Sequence, residues 1–215
     1  GTNVQLTEGG TLTSERTSVK VRESNLLCGF VFSTFVQASG DNRLRLNNQT
    51  IQISDSTVET VAGLYLDLEN ADSNVFAEMN GLTVSLNNST VLGGVYTGYT
   101  SDEAKGQSVT SSTVAVKNSR LELSGSNRLG GVRDFDTFAM NVQEVNKDKA
   151  LLTITGAALN SQKQFDDLTI ELTTNDFVSE PDAYRLIQVE GNDRYVFSNL
   201  KVQADQTFVQ TTYTA

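Results

Sequence analysis

The chain has 215 residues, with 16 basic and 26 acidic side chains, a formal net charge of −10, no His and one Cys. These counts exclude Ser-His-Asp catalysis, His-ligated metals, Cys-based zinc sites and intrachain disulfides. The negative charge opposes binding to nucleic acids and to anionic membranes. Gly, Asn, Ser and Thr are abundant, whereas Pro occurs once and Trp is absent, which favours an all-β fold with many tight turns.

A nine-residue pattern recurs along the first half of the chain. Each copy has a Ser or Thr, two apolar residues in alternation, a polar residue followed by Ser, and a further apolar residue. The copies begin at Ser18, Thr50, Thr83 and Thr113. The resulting period of about 30 to 33 residues is typical of solenoids and repeat arrays.

The chemistry of the unit indicates the kind of solenoid. Alternating apolar residues, such as Val19 and Val21, place one face of a strand in a core. The polar residue and Ser that follow, such as Asn88 and Ser89, favour a tight bend because Asn and Asp tolerate left-handed backbone. A strand, a corner and a new strand in each unit form one coil, and stacked coils pair in parallel. We therefore predict a right-handed parallel β-helix over residues 1–135.

The pattern stops near residue 135, and short strands separated by charged or turn-rich links follow. We predict that residues 136–215 form the last coils and a β-rich cap, because an uncovered solenoid end exposes unpaired strand edges. An antiparallel sandwich or barrel also has short alternating strands, but it has no reason to repeat one pattern at this period. A propeller blade would need about 40 residues.

Two stretches, Thr83–Tyr96 and Thr113–Val132, resemble the β-helical passenger domains of Gram-negative autotransporters, the adhesin-type proteins of type V secretion. Their coils are rich in Asn, Ser and Thr and are followed by a Gly-Gly-Val-Tyr element. That element stands here as Gly93-Gly94-Val95-Tyr96 and is echoed as Gly130-Gly131-Val132. The stretch Phe135–Val142, together with Leu152–Gly156 and Tyr184–Ile187, resembles the region that such proteins carry between the helix and their membrane barrel.

The resemblance implies an extracellular segment displayed at the bacterial cell surface, beyond the outer membrane. It implies an adhesin or stalk that contacts a host or neighbouring-cell surface protein or glycan through its side faces, without catalysis. A purely mechanical spacer is a further alternative. No cofactor, metal site or catalytic residue is predicted, and the chain is not expected to bind nucleic acid or to insert into a membrane.

Aromatic residues are the first candidates for surface contact. Tyr65, Phe76, Tyr96 and Tyr99 lie in or beside variable stretches, where tyrosine can stack on sugars or anchor a protein partner. Core filling explains Tyr96 and Tyr99 as well. Phe30 and Phe32 are predicted to fill the core. Cys28, which has apolar neighbours, is predicted to be a buried and inert thiol.

Carboxylates are the second candidates, and they carry the alternative function. Asp134 and Asp136 are two residues apart, so on a strand their side chains would share a face, with Arg128 and Arg133 nearby. Polysaccharide lyases and glycoside hydrolases with β-helical folds use paired carboxylates in an exposed groove. The alternative to the adhesin is therefore a carbohydrate-active enzyme.

Overall fold

The computed structural model describes residues 1–68, 74–100, 113–143, 149–158, 162, 164–174, 184–191 and 194–204. Over these residues the regular elements are all β-strands, and every strand pairing is parallel. Most strands that follow one another in the chain belong to different sheets, the exceptions being two consecutive pairs that share one sheet, and strands stack on their counterparts in neighbouring coils. The fold is a parallel β-solenoid, which confirms the predicted all-β class.

The described strands form three long sheets and one short sheet along the solenoid. Sheet A contains β1 Thr2–Leu6, β4 Asn25–Ala38, β7 Thr57–Leu68, β10 Thr90–Val91, β11 Val95–Thr100, β14 Asn127–Leu129, β15 Val132–Arg133, β17 Leu152–Ile154 and β20 Ile187–Val189. Sheet B contains β2 Thr11–Ser14, β5 Asp41–Asn47, β8 Asn74–Asn80 and β12 Thr113–Lys117. Sheet C contains β3 Thr17–Arg22, β6 Gln49–Ser54, β9 Thr83–Asn87, β13 Arg120–Ser124, β16 Thr137–Val142, β19 Thr169–Thr174 and β22 Lys201–Ala204. Sheet D contains β18 Gln164–Asp166 and β21 Val196–Ser198.

The first three predicted repeat units stack in register in sheet C. Val19 pairs with Ile51, and Ile51 pairs with Val84. Ile51 and Val84 are fully buried, because alternate residues of each strand face the interior of the coil. The predicted period therefore describes these coils correctly.

The position of the fourth unit was wrongly predicted. Val84 pairs with Leu121 in sheet C, whereas Val114 pairs with Ala77 in sheet B. The pattern beginning at Thr113 ends at the corner between sheets B and C, while the first three copies end at the corner between sheets C and A. Both corners follow an alternating strand with a left-handed residue and a polar side chain, so they look alike in sequence.

A ladder of serine hydroxyls joins successive corners between sheets C and A. The preceding corner residues adopt positive φ, which Asn and Asp tolerate. The Ser24 amide donates to Ser56 Oγ at 3.1 Å, and the Ser56 amide donates to Ser89 Oγ at 3.3 Å. The Ser89 amide donates to Asn127 Oδ1 at 3.0 Å. Each coil thus supplies the acceptor for the corner amide of the coil before it.

We expect Ser89→Ala to destabilise the chain by about 1–3 kcal/mol, because the buried Ser56 amide loses its side-chain acceptor. The matched control is Ser24→Ala in the first coil, whose hydroxyl donates to Arg22 O. That change should alter the free energy of unfolding by less than about 0.5 kcal/mol. Urea unfolding measures both variants, and equal losses would contradict the ladder.

The stacking continues across residue 135. Thr137 in β16 pairs with Arg120 in β13, and β19 and β22 extend the same sheet. Phe138 is fully buried and packs edge-to-face on Phe165 at 5.9 Å between ring centroids. Parallel stacking therefore continues in the described residues after residue 135. Residues 205–215 lie outside the described residues, and a cap there stays a prediction.

A bulge in sheet A overturns the prediction for Cys28. Leu26 pairs with Val58, and Phe30 pairs with Thr60, so three residues of β4 lie opposite one residue of β7. The extra residues protrude because they have no partners in the ladder. Cys28 is therefore exposed, as are the neighbouring side chains of Leu26 and Leu27.

Candidate functional site

Six aromatic rings cluster on the outer face of sheet A, and we call this cluster the aromatic patch. They come from three successive coils, namely from β4, β7 and β11. Its members are Phe30, Phe32, Phe35, Tyr65, Tyr96 and Tyr99. The prediction that Phe30 and Phe32 fill the core is wrong, since Phe30 is 37% exposed and Phe32 is half-buried.

One row of the patch follows the stacking direction of the coils. Phe35 pairs with Tyr65, and Tyr65 pairs with Tyr99. Their ring centroids are separated by 5.6 Å and 5.9 Å. The row is regular because parallel pairing places each residue directly above its counterpart in the coil before.

A break in the alternation of β4 makes the outer face concave at the patch. Ser33 and Thr34 are consecutive and both buried. The Ser33 hydroxyl donates to Gly63 O, and the Thr34 hydroxyl donates to Gln49 Oε1 at 3.3 Å inside the coil. Residues on both sides of the break therefore face outward.

The rings on the two sides of this break converge. Five residues of extended strand span about 16 Å, yet the ring of Phe30 lies 4.9 Å from Tyr65 and 5.5 Å from Tyr99. Such an approach requires the outer surface to bend inward between the two sides. The patch is therefore a shallow aromatic groove that crosses three coils.

Tyr96 forms the floor of the patch and is buried, with 4% exposure, so the prediction of a surface contact there is wrong. Its ring lies across Gly94, where an added Cβ would come within 2.5 Å of the Tyr96 hydroxyl. The guanidinium of Arg133 covers the ring at 5.1 Å from the centroid. Tyr99 is half-buried, and its contact with a ligand stays a prediction.

Tyr65 lies at the centre of the patch, and its pKa is raised. Burial raises the pKa of Tyr65 above its usual 10.0, and the charges of Asp67 and of ionised Tyr99 raise it further. The folded chain therefore favours the protonated phenol. The stability that this supplies is fully present below pH 10.0 and is lost as the pH rises through the folded-state pKa of Tyr65.

We expect Asp67→Asn to lower the pKa of Tyr65, because the substitution removes one of the charges that oppose ionisation. Tyrosinate absorbance measures this pKa during an alkaline titration. Subtracting the titration curve of Tyr65→Phe, with and without Asp67→Asn, isolates the single phenol among six tyrosines. An unchanged Tyr65 curve in the Asp67→Asn chain would contradict the assignment.

The two candidate carboxylates lie at a corner rather than on one strand, so the prediction of a shared strand face is wrong. Asp134 adopts a φ of 66°, and its Oδ2 lies 3.1 Å from Arg133 Nε. Asp136 Oδ2 accepts hydrogen bonds from the Ser119 amide at 2.8 Å and from the Ser119 hydroxyl at 3.0 Å. These contacts stabilise the turn into β16, and contact of either carboxylate with a ligand stays a prediction.

A shallow depression of about 360 Å³ lies on the outer face of sheet C. Two of its charged side chains, Arg120 and Glu122, interact with each other. Arg120 contacts Glu122 at 3.1 Å and Glu171 at 2.5 Å, and Ser85 donates to Glu122 at 2.7 Å. A single arginine therefore bridges two carboxylates at the depression.

Over the described ranges, no three His, Cys, Asp or Glu side chains lie close enough together to hold a metal ion. The same part of the chain contains no helix that could span a membrane. Comparisons with protein-family models, curated proteins and solved structures gave no match. Function is therefore inferred from the fold and the surface of the chain itself.

Proposed function

We propose that the chain is a surface-displayed adhesin or stalk segment that binds a host or neighbouring-cell surface through a side face of its solenoid, without catalysis. The observation that carries the proposal is the aromatic patch. Phe35, Tyr65 and Tyr99 stand in register on the outside of three coils, and Phe30 contacts the rings of Tyr65 and Tyr99. Clusters of accessible rings commonly mark binding sites.

Other side chains fill the core of these coils, so the outward-facing rings are not required for core packing. Val36 and Leu66, which flank the outward rings on β4 and β7, are fully buried in the central core. The aromatic side chains therefore add apolar surface to a face that the fold leaves open to solvent. Exposed apolar surface lowers the solubility of a protein unless a partner covers it.

The solenoid also supports display at a distance from an anchor. Stacked parallel coils form a stiff rod whose length grows with each repeat. The resemblance to autotransporter passengers includes the elements Gly93-Gly94-Val95-Tyr96 and Gly130-Gly131-Val132, in which Val95 pairs with Val132. Within the proposal, the chain lies outside a Gram-negative cell and carries its contact surface on the rod.

A binding assay tests the proposal. The labelled chain is incubated with host epithelial cells and with Gram-negative bacteria, and saturable binding is expected to at least one surface. Phe30→Ala should weaken this binding about tenfold, because it removes the most exposed ring of the patch. Phe76→Ala is the matched control, since Phe76 is 41% exposed but lies in sheet B.

Two results would contradict the proposal. One is the absence of saturable binding to every surface tested. The other is an equal loss of binding in Phe30→Ala and Phe76→Ala, which would show that the aromatic patch does not carry the contact.

A further inference from the structure

We propose that the aromatic patch binds a neutral glycan chain that lies along the solenoid axis, across three coils. This inference rests on the proposed function and names its ligand class. It is carried by the direction of the ring row, by the area that the patch offers and by the charges around it.

The row of rings sets the direction of the ligand. Phe35, Tyr65 and Tyr99 follow the stacking direction, with centroid separations of 5.6 Å and 5.9 Å. These separations are close to the length of one pyranose ring, whose apolar C–H face can pack on an aromatic side chain. A linear glycan along the axis would thus place successive sugar rings on successive coils.

The size of the patch favours a narrow ligand over a protein. A stable protein interface needs about 800 Å² from each partner. A fully exposed aromatic side chain offers about 150–250 Å², and the most exposed ring of the patch, Phe30, is only 37% exposed. The rings together therefore offer a few hundred Å², which suits a chain of small rings.

The groups around the patch favour a neutral ligand. Asp67 lies two residues after Tyr65 on the same outer face, and it pairs with Gln37 in the coil before. A carboxylate and an amide at the rim accept hydrogen bonds from sugar hydroxyls, and the carboxylate repels sulfated or carboxylated glycans. The guanidinium of Arg133 lies over the Tyr96 ring. Arg133 donates to Gly98 O at 2.9 Å and contacts Asp134 at 3.1 Å, so its charge is engaged within the chain.

The first experiment measures binding to defined sugars by isothermal titration. The probes are neutral oligosaccharides of glucose, galactose, mannose or N-acetylglucosamine, one to six units long, together with sulfated counterparts. We expect at least one neutral series to bind, with affinity that rises up to about three units and then levels, because the row spans three coils. The sulfated counterpart should bind more weakly.

Variants separate ring stacking from loss of structure. Phe30→Ala should weaken binding to the preferred neutral sugar about tenfold, which corresponds to one lost stacking contact. Tyr65→Phe keeps the ring and should retain the affinity, and Phe76→Ala should leave it unchanged. Thermal unfolding of each variant verifies that the solenoid is intact. Equal affinity of Phe30→Ala and the unchanged chain would overturn the assignment of the site.

A second experiment distinguishes failure of this inference from failure of the proposed function. Target cells are treated either with periodate, which cleaves sugar diols, or with a protease. Loss of binding after periodate but not after protease supports the glycan. Binding that survives periodate and is lost after protease overturns the glycan while the adhesin stands. Preference for sulfated sugars overturns the neutral ligand, and binding to neither cells nor sugars overturns both proposals.

Discussion

A Gly130→Ala chain should unfold about 10 °C below the unchanged chain, because a side chain at this position would overlap the backbone of the neighbouring coil. The Gly130 amide donates to Val91 O at 2.8 Å, which holds the two coils together. A Cβ on Gly130 would overlap the carbonyl groups of Leu92 and Gly93. Coils stack about 4.8 Å apart, so the clash can be relieved only by breaking hydrogen bonds of the ladder.

The expected loss is about 3 kcal/mol, at the upper end for overpacked sites. Gly29→Ala is the matched control, since an added Cβ there meets no atom within 4 Å. Its unfolding temperature should stay close to that of the unchanged chain. A thermal scan of both variants by circular dichroism measures the unfolding temperature. Similar midpoints for the two variants would show that the close approach of the coils at Gly130 does not limit the stability of the fold.

We expect Phe138→Ala to destabilise the chain by about 3–5 kcal/mol. Phe138 is fully buried in the coils after residue 135 and packs edge-to-face on Phe165. Removing the ring leaves a cavity that the stacked strands cannot close, because each is fixed by hydrogen bonds to the coils on both sides. Chemical unfolding in urea gives the free energy.

Phe76→Ala removes the same atoms from a side chain that is 41% exposed, and it should cost less than half as much. Phe138→Leu, which retains most of the volume, should fall between the two. An equal loss in Phe76→Ala and Phe138→Ala would contradict the placement of Phe138 in the core.

The repeat in the sequence predicted the solenoid because its two signals are local. Val19 and Val21 alternate with polar residues, and the polar corner follows directly. Nine residues therefore contain the signals for both the strand and the bend. Because these signals are local, they also explain why the position of the unit beginning at Thr113 is wrongly predicted. Corners between sheets B and C use the same kinds of residues as corners between sheets C and A, and only the pairing of Val84 with Leu121 identifies which corner is which.

The sequence predicts three of the six rings of the aromatic patch as candidates for surface contact, but not the other three. Tyr65, Tyr96 and Tyr99 are candidates because they lie in or beside variable stretches. Sequence alone places Phe30 and Phe32 in the core, since aromatic residues in an apolar strand are usually buried. The break at Ser33 and Thr34 was the available signal, because two small polar residues inside an apolar strand interrupt its alternation.

The sequence by itself determined the all-β class, the coil as the repeating unit and the polar corners, because alternation and turn chemistry act over a few residues. Only the tertiary structure decided which strands stack, which face each aromatic ring occupies and how Phe30 meets Tyr65 and Tyr99. Those relations join residues about 30 or more positions apart. They depend on the length of every coil between them and on where each strand bends, and no local pattern specifies either.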